Sequence, residues 1–185
     1  MKITYRKCLS MIAGVLLSLV VITSAIAALN PGKKAPDFIL KSITGKQVSL
    51  QQLRIDPLNK KLPKVLLVDF FATWCPPCKD ETPHLQQLHE KYGKKGVSIV
   101  GIALDDNGAE AVKPFAKENG LKYNLLLDPD AKAARKYLIR PIPTTYLIDR
   151  QGIIRYVHVG FNPGMEKQLE TEIKELLKQV SSKDR

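Results

Sequence analysis

Residues 65 to 78 read Val-Leu-Leu-Val-Asp-Phe-Phe-Ala-Thr-Trp-Cys-Pro-Pro-Cys. Val65 to Phe71 are apolar except for Asp69, and such a run predicts a strand buried on both faces. A helix is predicted to begin at or just after Cys75. Pro76 and Pro77 suit a first turn, where N–H groups have no intrahelical partner. Two thiols separated by two residues can close a small disulfide ring. The helix start also favours a thiolate beside it, because free amides and the helix dipole attract negative charge. Strand, thiol, helix is therefore the arrangement from which the rest of the chain is read.

Outward from this stretch, apolar and polar runs alternate. Phe38 to Leu40 and Gln47 to Leu50 flank Thr44-Gly45-Lys46, a hairpin pattern, and Arg54 to Lys64 reads as a loop with two prolines. The helix after Cys75 has an apolar face at Leu85, Leu88 and Tyr92 and a stop at Gly93, with a kink expected at Pro83. Val97 to Ala103 is a second buried strand, followed by a helix over 110–119, a short strand over 125–127 and a helix over 131–137. Thr145 to Ile148 and Ile153 to Val159 enclose Asp149-Arg150-Gln151-Gly152, another hairpin signature. Leu169, Ile173, Leu176 and Val180 form one stripe of a closing helix over 165–180. The alternation predicts an α/β fold, a central mixed sheet with helices on both faces.

The chain has 185 residues, 44% of them apolar, and a formal net charge of +11. Three of the positive charges, Lys2, Arg6 and Lys7, precede Leu9 to Ala28, which carry no charge. A basic head, an apolar middle and the small residues Ser24 to Ala28 form an export signal, with cleavage after Ala27 the simplest reading. The apolar run is also long enough to span a bilayer, so an uncleaved anchor over residues 9–28 stays open. Either way the remainder of the chain is exported, because positive charge precedes the run and none directly follows it. The expected organisation is a signal peptide or anchor over 1–28, a linker over 29–36, a domain over 37–180 and a fraying tail over 181–185. The basic balance suits either a solvated surface or attraction to an anionic membrane. No basic stripe interleaved with aromatics points to nucleic acid.

Three cysteines occur, at 8, 75 and 78. Cys8 precedes the apolar run and is read as incidental, so the exported part carries only the Cys75/Cys78 pair. Cys75, at the helix start, is the expected attacking thiol. Cys78, one turn inward, is the expected resolving thiol, which attacks the mixed disulfide and releases the product. Asp69 lies six residues before Cys75. In an apolar strand its carboxyl should be hard to ionise and could exchange a proton with Cys78, whereas on an exposed edge it would do nothing. Glu81, on the turn after Cys78, either tunes the sulfurs or merely complements the helix dipole. A zinc site lacks ligands: there is no second Cys pair, His84 and His89 fall on different helix faces, and His158 is remote.

The run Val68 to Cys78, taken with Ile142-Pro143-Thr144, resembles the thioredoxin superfamily. The pattern Trp-Cys-x-x-Cys-Lys-x-Glu-x-Pro in Trp74 to Pro83 resembles its TlpA/ResA/CcmG-like branch of exported thiol–disulfide oxidoreductases. So do Arg140-Pro141-Ile142-Pro143-Thr144-Thr145-Tyr146-Leu147-Ile148-Asp149. The resemblance covers about residues 35 to 178 and implies a thioredoxin-like fold with an N-terminal β-hairpin and an inserted strand–helix unit. It implies that Cys75 is the nucleophile, Cys78 the resolving thiol, Pro143 a cis-proline and Glu81 the active-site acid. ResA-like proteins often carry Asn where this chain has Asp69, so here two acids contend for the proton.

These observations predict an extracytoplasmic, periplasm-type reductase of exported protein disulfides, with cytochrome c maturation as one candidate role. Trp74, Pro76, Pro77, Ile142, Pro143 and Thr144 would line the docking groove. Its only redox group would be the Cys75–Cys78 pair, with no metal or other cofactor, and a membrane-embedded thiol donor would restore its electrons. Rival readings use the same thiols: a disulfide-forming oxidant, or a copper-binding or metalloprotein assembly factor. A peroxidase of the peroxiredoxin type usually has Thr where this chain has Ala72.

Overall fold

The computed structural model describes residues 28–54 and 65–183, with side chains described as far as 179. The export or anchor segment before Ala28, Cys8 and most of the proline-bearing loop lie outside these residues. In chain order the elements are β1 (Ile39–Ser42), β2 (Gln47–Ser49), α1 (Leu50–Leu53), β3 (Val65–Phe71), α2 (Pro76–Tyr92) and a 3-10 turn (Gly93–Lys95). They continue with β4 (Val97–Ala103), α3 (Ala109–Glu118), β5 (Asn124–Leu127), α4 (Lys132–Lys136), β6 (Thr144–Asp149), β7 (Ile154–Val159) and α5 (Met165–Lys183).

The strands form one mixed sheet in the order β2-β1-β5-β4-β3-β6-β7. β3, β4 and β5 run parallel, while β1, β6 and β7 pair antiparallel with their neighbours. All seven residues of β3 are buried, as its apolar sequence requires of a strand covered on both sides. Its alternate residues feed two cores. Val65, Leu67 and Phe71 pack with α2, α3 and α5 through Leu85, Phe115 and Ile173. Leu66, Val68 and Phe70 pack with α1 and α4 through Leu53, Ala134 and Tyr137. This is the thioredoxin-like fold, with helices on both faces of the sheet. The strand–helix pair β5 and α4 stands between α3 and Pro143.

Several local expectations shift. Leu50 opens a one-turn helix rather than ending the strand. Ser49 and Gln52 form a reciprocal capping box there, a signal that was legible as Ser-x-x-Gln. Gly93 does not stop α2 by turning left-handed. It keeps helical angles, and the break comes at Gly96, with φ of 95°. The chain runs on through Pro83 within α2. The closing helix extends to Lys183, three residues past the expected end. The segment read as a linker is tied down: Gly32 and Ala35 donate to Ile154 and Gly152 carbonyls, and Ile154 donates to Lys33.

Candidate active site

The site begins where β3 ends. Leu104 N–H continues the ladder by donating to the Phe71 carbonyl, and Cys75 N–H then closes a turn onto Ala72. Thr73 is held from below by Asp105, whose carboxylate accepts from its backbone N–H at 3.1 Å and from its hydroxyl. Asp105 is itself buried, and its side chain caps the loop as a helix N-cap residue would. The result is that Trp74 is pushed outward, 67% exposed, directly before the cysteines.

Cys75 is the N-cap of α2, with Pro76 and Pro77 in the first turn. Because these prolines have no N–H, the first free amide is that of Cys78, and it points at Cys75 Sγ at 3.3 Å. That amide and the helix dipole supply the thiolate stabilisation expected of this position. The two sulfurs are joined in a disulfide, with the Cα atoms 5.3 Å apart. Cys75 is 3% exposed and Cys78 1%, so the inward thiol is the more sheltered, but only slightly in this oxidised form. What is open here is Trp74 beside the pair.

The Ile142–Pro143 bond is cis. The Ile142 carbonyl lies 3.8 Å from Cys75 Sγ. A disulfide sulfur carries no hydrogen, so this is a contact and not a hydrogen bond. Gly160 N–H donates to the Pro143 carbonyl at 2.7 Å and fixes the loop against the chain leaving β7. Pro76 is exposed, Pro77 and Ile142 are half-buried, and Pro143 is buried beneath them. Thr144 does not line the surface as expected. It is 1% exposed and its hydroxyl donates to the Pro141 carbonyl, so it braces the loop from inside.

Behind the disulfide lie two carboxyls. Asp69 pairs across the sheet with Gly101 on one side and Thr145 on the other. Residues opposed in neighbouring strands share a face, so Asp69 and Thr145 project together towards α2. Glu81 comes down from α2, and Thr145 Oγ1 donates to its Oε1 at 2.9 Å. Asp69 Oδ1 and Glu81 Oε2 are buried without a partner. Neither carboxyl is more than 3% exposed, so Asp69 does not sit on a solvent-facing edge. Burial pushes the Asp69 carboxyl well up, and repulsion from Glu81 adds to it. Burial likewise lifts Glu81, to about 7, against the Thr145 hydrogen bond. One hydroxyl hydrogen cannot serve both acids; the 2.9 Å geometry gives it to Glu81. Near neutral pH the pair can take up and release protons that carboxyls in water would already have lost, and Glu81 stands one helical turn from Cys78.

Thr145, Asp105, Gly101 and Tyr123 were not singled out from sequence. A Cβ on Gly101 would meet Leu125 Cδ2 at 2.9 Å and Phe71 Cε1 at 3.0 Å, so glycine lets these side chains pack onto the strand beside Asp69. Only the strand register reveals these neighbours. Among the described residues no three His, Cys, Asp or Glu side chains are grouped to hold a metal. His84 stacks on Phe161 at 5.4 Å and His89 lies against Tyr123 at 6.2 Å, on separate sides of α2. His158 pairs instead with Glu172 at 2.6 Å.

Residues 31–157 match the model of the AhpC/TSA family. The chain is similar to thiol-disulfide oxidoreductase ResA of Bacillus anthracis, 33% identical over 145 residues that cover 78% of each chain. It is also similar to the thioredoxin-like protein YneN of Bacillus subtilis, 35% identical over 133 residues, 71% of this chain and 73% of that one. Among solved structures it resembles a Chlorobium tepidum protein provisionally named thiol:disulfide interchange protein DsbE. The TM-score is 0.72 with 34% identity, covering 80% of this chain and 99% of that one. With a bonded cysteine pair at a helix start, a cis-proline against it and these relatives, the chain belongs to the thioredoxin-like AhpC/TSA family and is a thiol–disulfide oxidoreductase of the ResA and DsbE type.

Proposed function

We propose that this oxidoreductase works outside the cytoplasm as a reductase of disulfides in exported proteins, with the cysteines of cytochromes c under maturation as one client class. The observation that carries the exchange chemistry is the buried acid pair, which can take a proton from Cys78 and return it, while the direction rests on the potential of the cysteine pair. The resolving thiol must give up its proton as it attacks; Glu81 stands one helical turn from Cys78, Asp69 lies opposite the same Thr145, and both have raised proton affinity. The export reading rests on the basic head and uncharged run of residues 1–28 and on the single cysteine pair in the remainder.

In the proposed cycle the Cys75 thiolate, held by the Cys78 amide, attacks one sulfur of the client disulfide. A Cys75–client disulfide forms and the client's other sulfur leaves as a thiolate, which takes up a proton. The acid pair then accepts the Cys78 proton, Cys78 attacks Cys75 Sγ, and the second client sulfur leaves and is protonated. The client gains two electrons and two protons; the enzyme ends as the disulfide. A thiol donor embedded in the membrane returns it to the dithiol. Trp74, Pro76, Pro77 and Ile142 offer the exposed surface around the sulfurs on which a client can lie.

Replacing Cys78 by Ser leaves Cys75 able to attack but unable to be resolved. Expressed in cells, Cys78→Ser should accumulate mixed disulfides with exported proteins that dissolve on adding a reductant. Absence of such adducts, or adducts formed only by a Cys75→Ser variant, overturns the assignment of roles. The reduction potential of the pair separates reductase from oxidant, a value near that of thioredoxin favouring the former.

A further inference from the structure

Three features converge on the surface formed by α4 and the loop that follows it. The first is where the chain enters the domain. Ala28 and Leu29 pack half-buried on the α4 side of the sheet. Leu29 N–H donates to the Tyr146 hydroxyl at 3.3 Å, and that same hydroxyl donates to the Tyr137 carbonyl at 2.8 Å. One buried oxygen thus pins the end of the uncharged run of residues 9–28 beside the last residue before Leu138. Ala28, the last residue of that run, packs on this face.

The second feature is charge. Residues 129–141 carry Lys132, Arg135, Lys136 and Arg140 against one acid, Asp130. Asp130 is paired with Lys132 at 2.8 Å. Arg135 and Lys136 donate to the neutral carbonyls of Asp130 and Asp37, and the one Asp130 carboxylate is shared between Lys132 and Arg135, so the segment stays net positive. Lys33 and Lys34, four and five residues after Leu29, are exposed and have no carboxylate partner among the described residues. The third feature is a leucine in a costly place. The turn that ends α4 has the two hydrogen bonds of a Schellman motif, Ile139 to Ala134 and Leu138 to Arg135. Its left-handed position, normally glycine, is Leu138, at φ of 56°. The strained side chain is 46% exposed between the basic residues.

We propose that this face is a lipid-docking surface: the basic residues meet an anionic membrane surface and Leu138 dips into it, with the domain held there by its own N-terminal apolar segment. An anionic bilayer supplies the complementary charge, and the pinned entry of the chain supplies the proximity. Arg140 is two residues from Ile142, whose carbonyl contacts Cys75, so docking holds the disulfide alongside the bilayer. The proposal deepens the reading of residues 9–28 as an anchor and does not depend on the direction of the redox reaction.

The test uses the full chain mixed with vesicles of neutral phosphatidylcholine and with vesicles containing about 30% phosphatidylglycerol. Flotation reports anchoring. Lysine acetylation read by mass spectrometry reports the buried face, with Lys167, Lys174 and Lys178 of α5, on the far side of the sheet, as internal controls. Acetylation of Lys33, Lys34, Lys132 and Lys136 should slow at least about threefold on anionic vesicles, and recover in about 0.5 M salt. Arg135→Gln with Arg140→Gln, which keeps every reporter lysine, should abolish the slowing. Leu138→Gly relieves the left-handed strain, so it should leave the fold at least as stable while weakening the protection. Flotation with equal labelling on both vesicle types, or protection of the α5 lysines to the same degree, overturns the proposal. If the chain ignores neutral vesicles the anchor reading fails; protection on anionic vesicles then still upholds the face, and binding to neither overturns it. Disulfide reduction by the same samples is read separately, so a failed reductase assignment is distinguishable.

Discussion

Replacing Glu81 by Gln should uncouple the stability of this protein from pH in a window set by the buried acid. Glu81 titrates near 4.5 in an unfolded chain and near 7 in the fold, where burial disfavours its charge. Between those values the native state binds more protons than the unfolded one, so stability falls as pH rises through the window. The difference amounts to about 3 kcal/mol once both limits are passed. Gln keeps the oxygen that accepts from Thr145 and cannot ionise, so that loss should vanish from the variant. Any cost of its new amide hydrogens acts at every pH and cancels when two pH values are compared. Asp69 titrates in the same sense, and without a charged neighbour its rise is smaller, so a reduced slope remains. Urea unfolding of the oxidised form at pH 5 and pH 8 measures this. The stability change on mutation should favour the variant at pH 8 by roughly 2–3 kcal/mol more than at pH 5. The same variant should slow resolution of the mixed disulfide by about 100-fold, the lower end of general-base effects, because Asp69 remains. An equal mutational effect at both pH values would refute the claim that Glu81 is a buried, protonated acid.

Other substitutions probe the scaffold around the pair. Thr145→Val removes the one donor to Glu81 and should cost about 1–3 kcal/mol at pH 8 and less at pH 5, read by the same unfolding curves. Asp105→Ala frees the Thr73 loop; it should destabilise by about 1–2 kcal/mol and change the emission of Trp74, the single tryptophan. Gly101→Ala sets a methyl against Leu125 and Phe71 and should cost about 1–3 kcal/mol in thermal unfolding, while the buried acids keep their register.

The elements were legible where local pattern suffices. β3 reads from an unbroken apolar run, the start of α2 from Cys-Pro-Pro, and the β6–β7 hairpin from Asp149 to Gly152 between apolar strands. Weaker cues mislead at short range: Leu50 reads as strand continuation although Ser49 and Gln52 cap a helical turn, and Gly93 reads as the stop that Gly96 supplies. Beside Ile142 and Pro143, Thr144 reads as a groove residue, yet it is buried and its hydroxyl donates to the Pro141 carbonyl. Asp105 sits before Asp106, Asn107 and Gly108 and reads as one more turn residue, so its grip on Thr73 left no mark in the chain order.

What the sequence determined alone is the redox pair and its setting: two cysteines at a helix start, behind a buried strand, in a chain with an apolar basic-headed N-terminus. These depend on residues within a few positions of each other, where propensity, capping and periodicity act. Only the tertiary structure decided that Thr145, 64 residues from Glu81, donates to it, and that Asp69 lies opposite that same threonine. Strand register and the descent of a helix onto a sheet are set by packing between distant segments. The proton affinity of the acids follows from that packing, because burial, and not residue type, decides what a carboxyl costs to ionise.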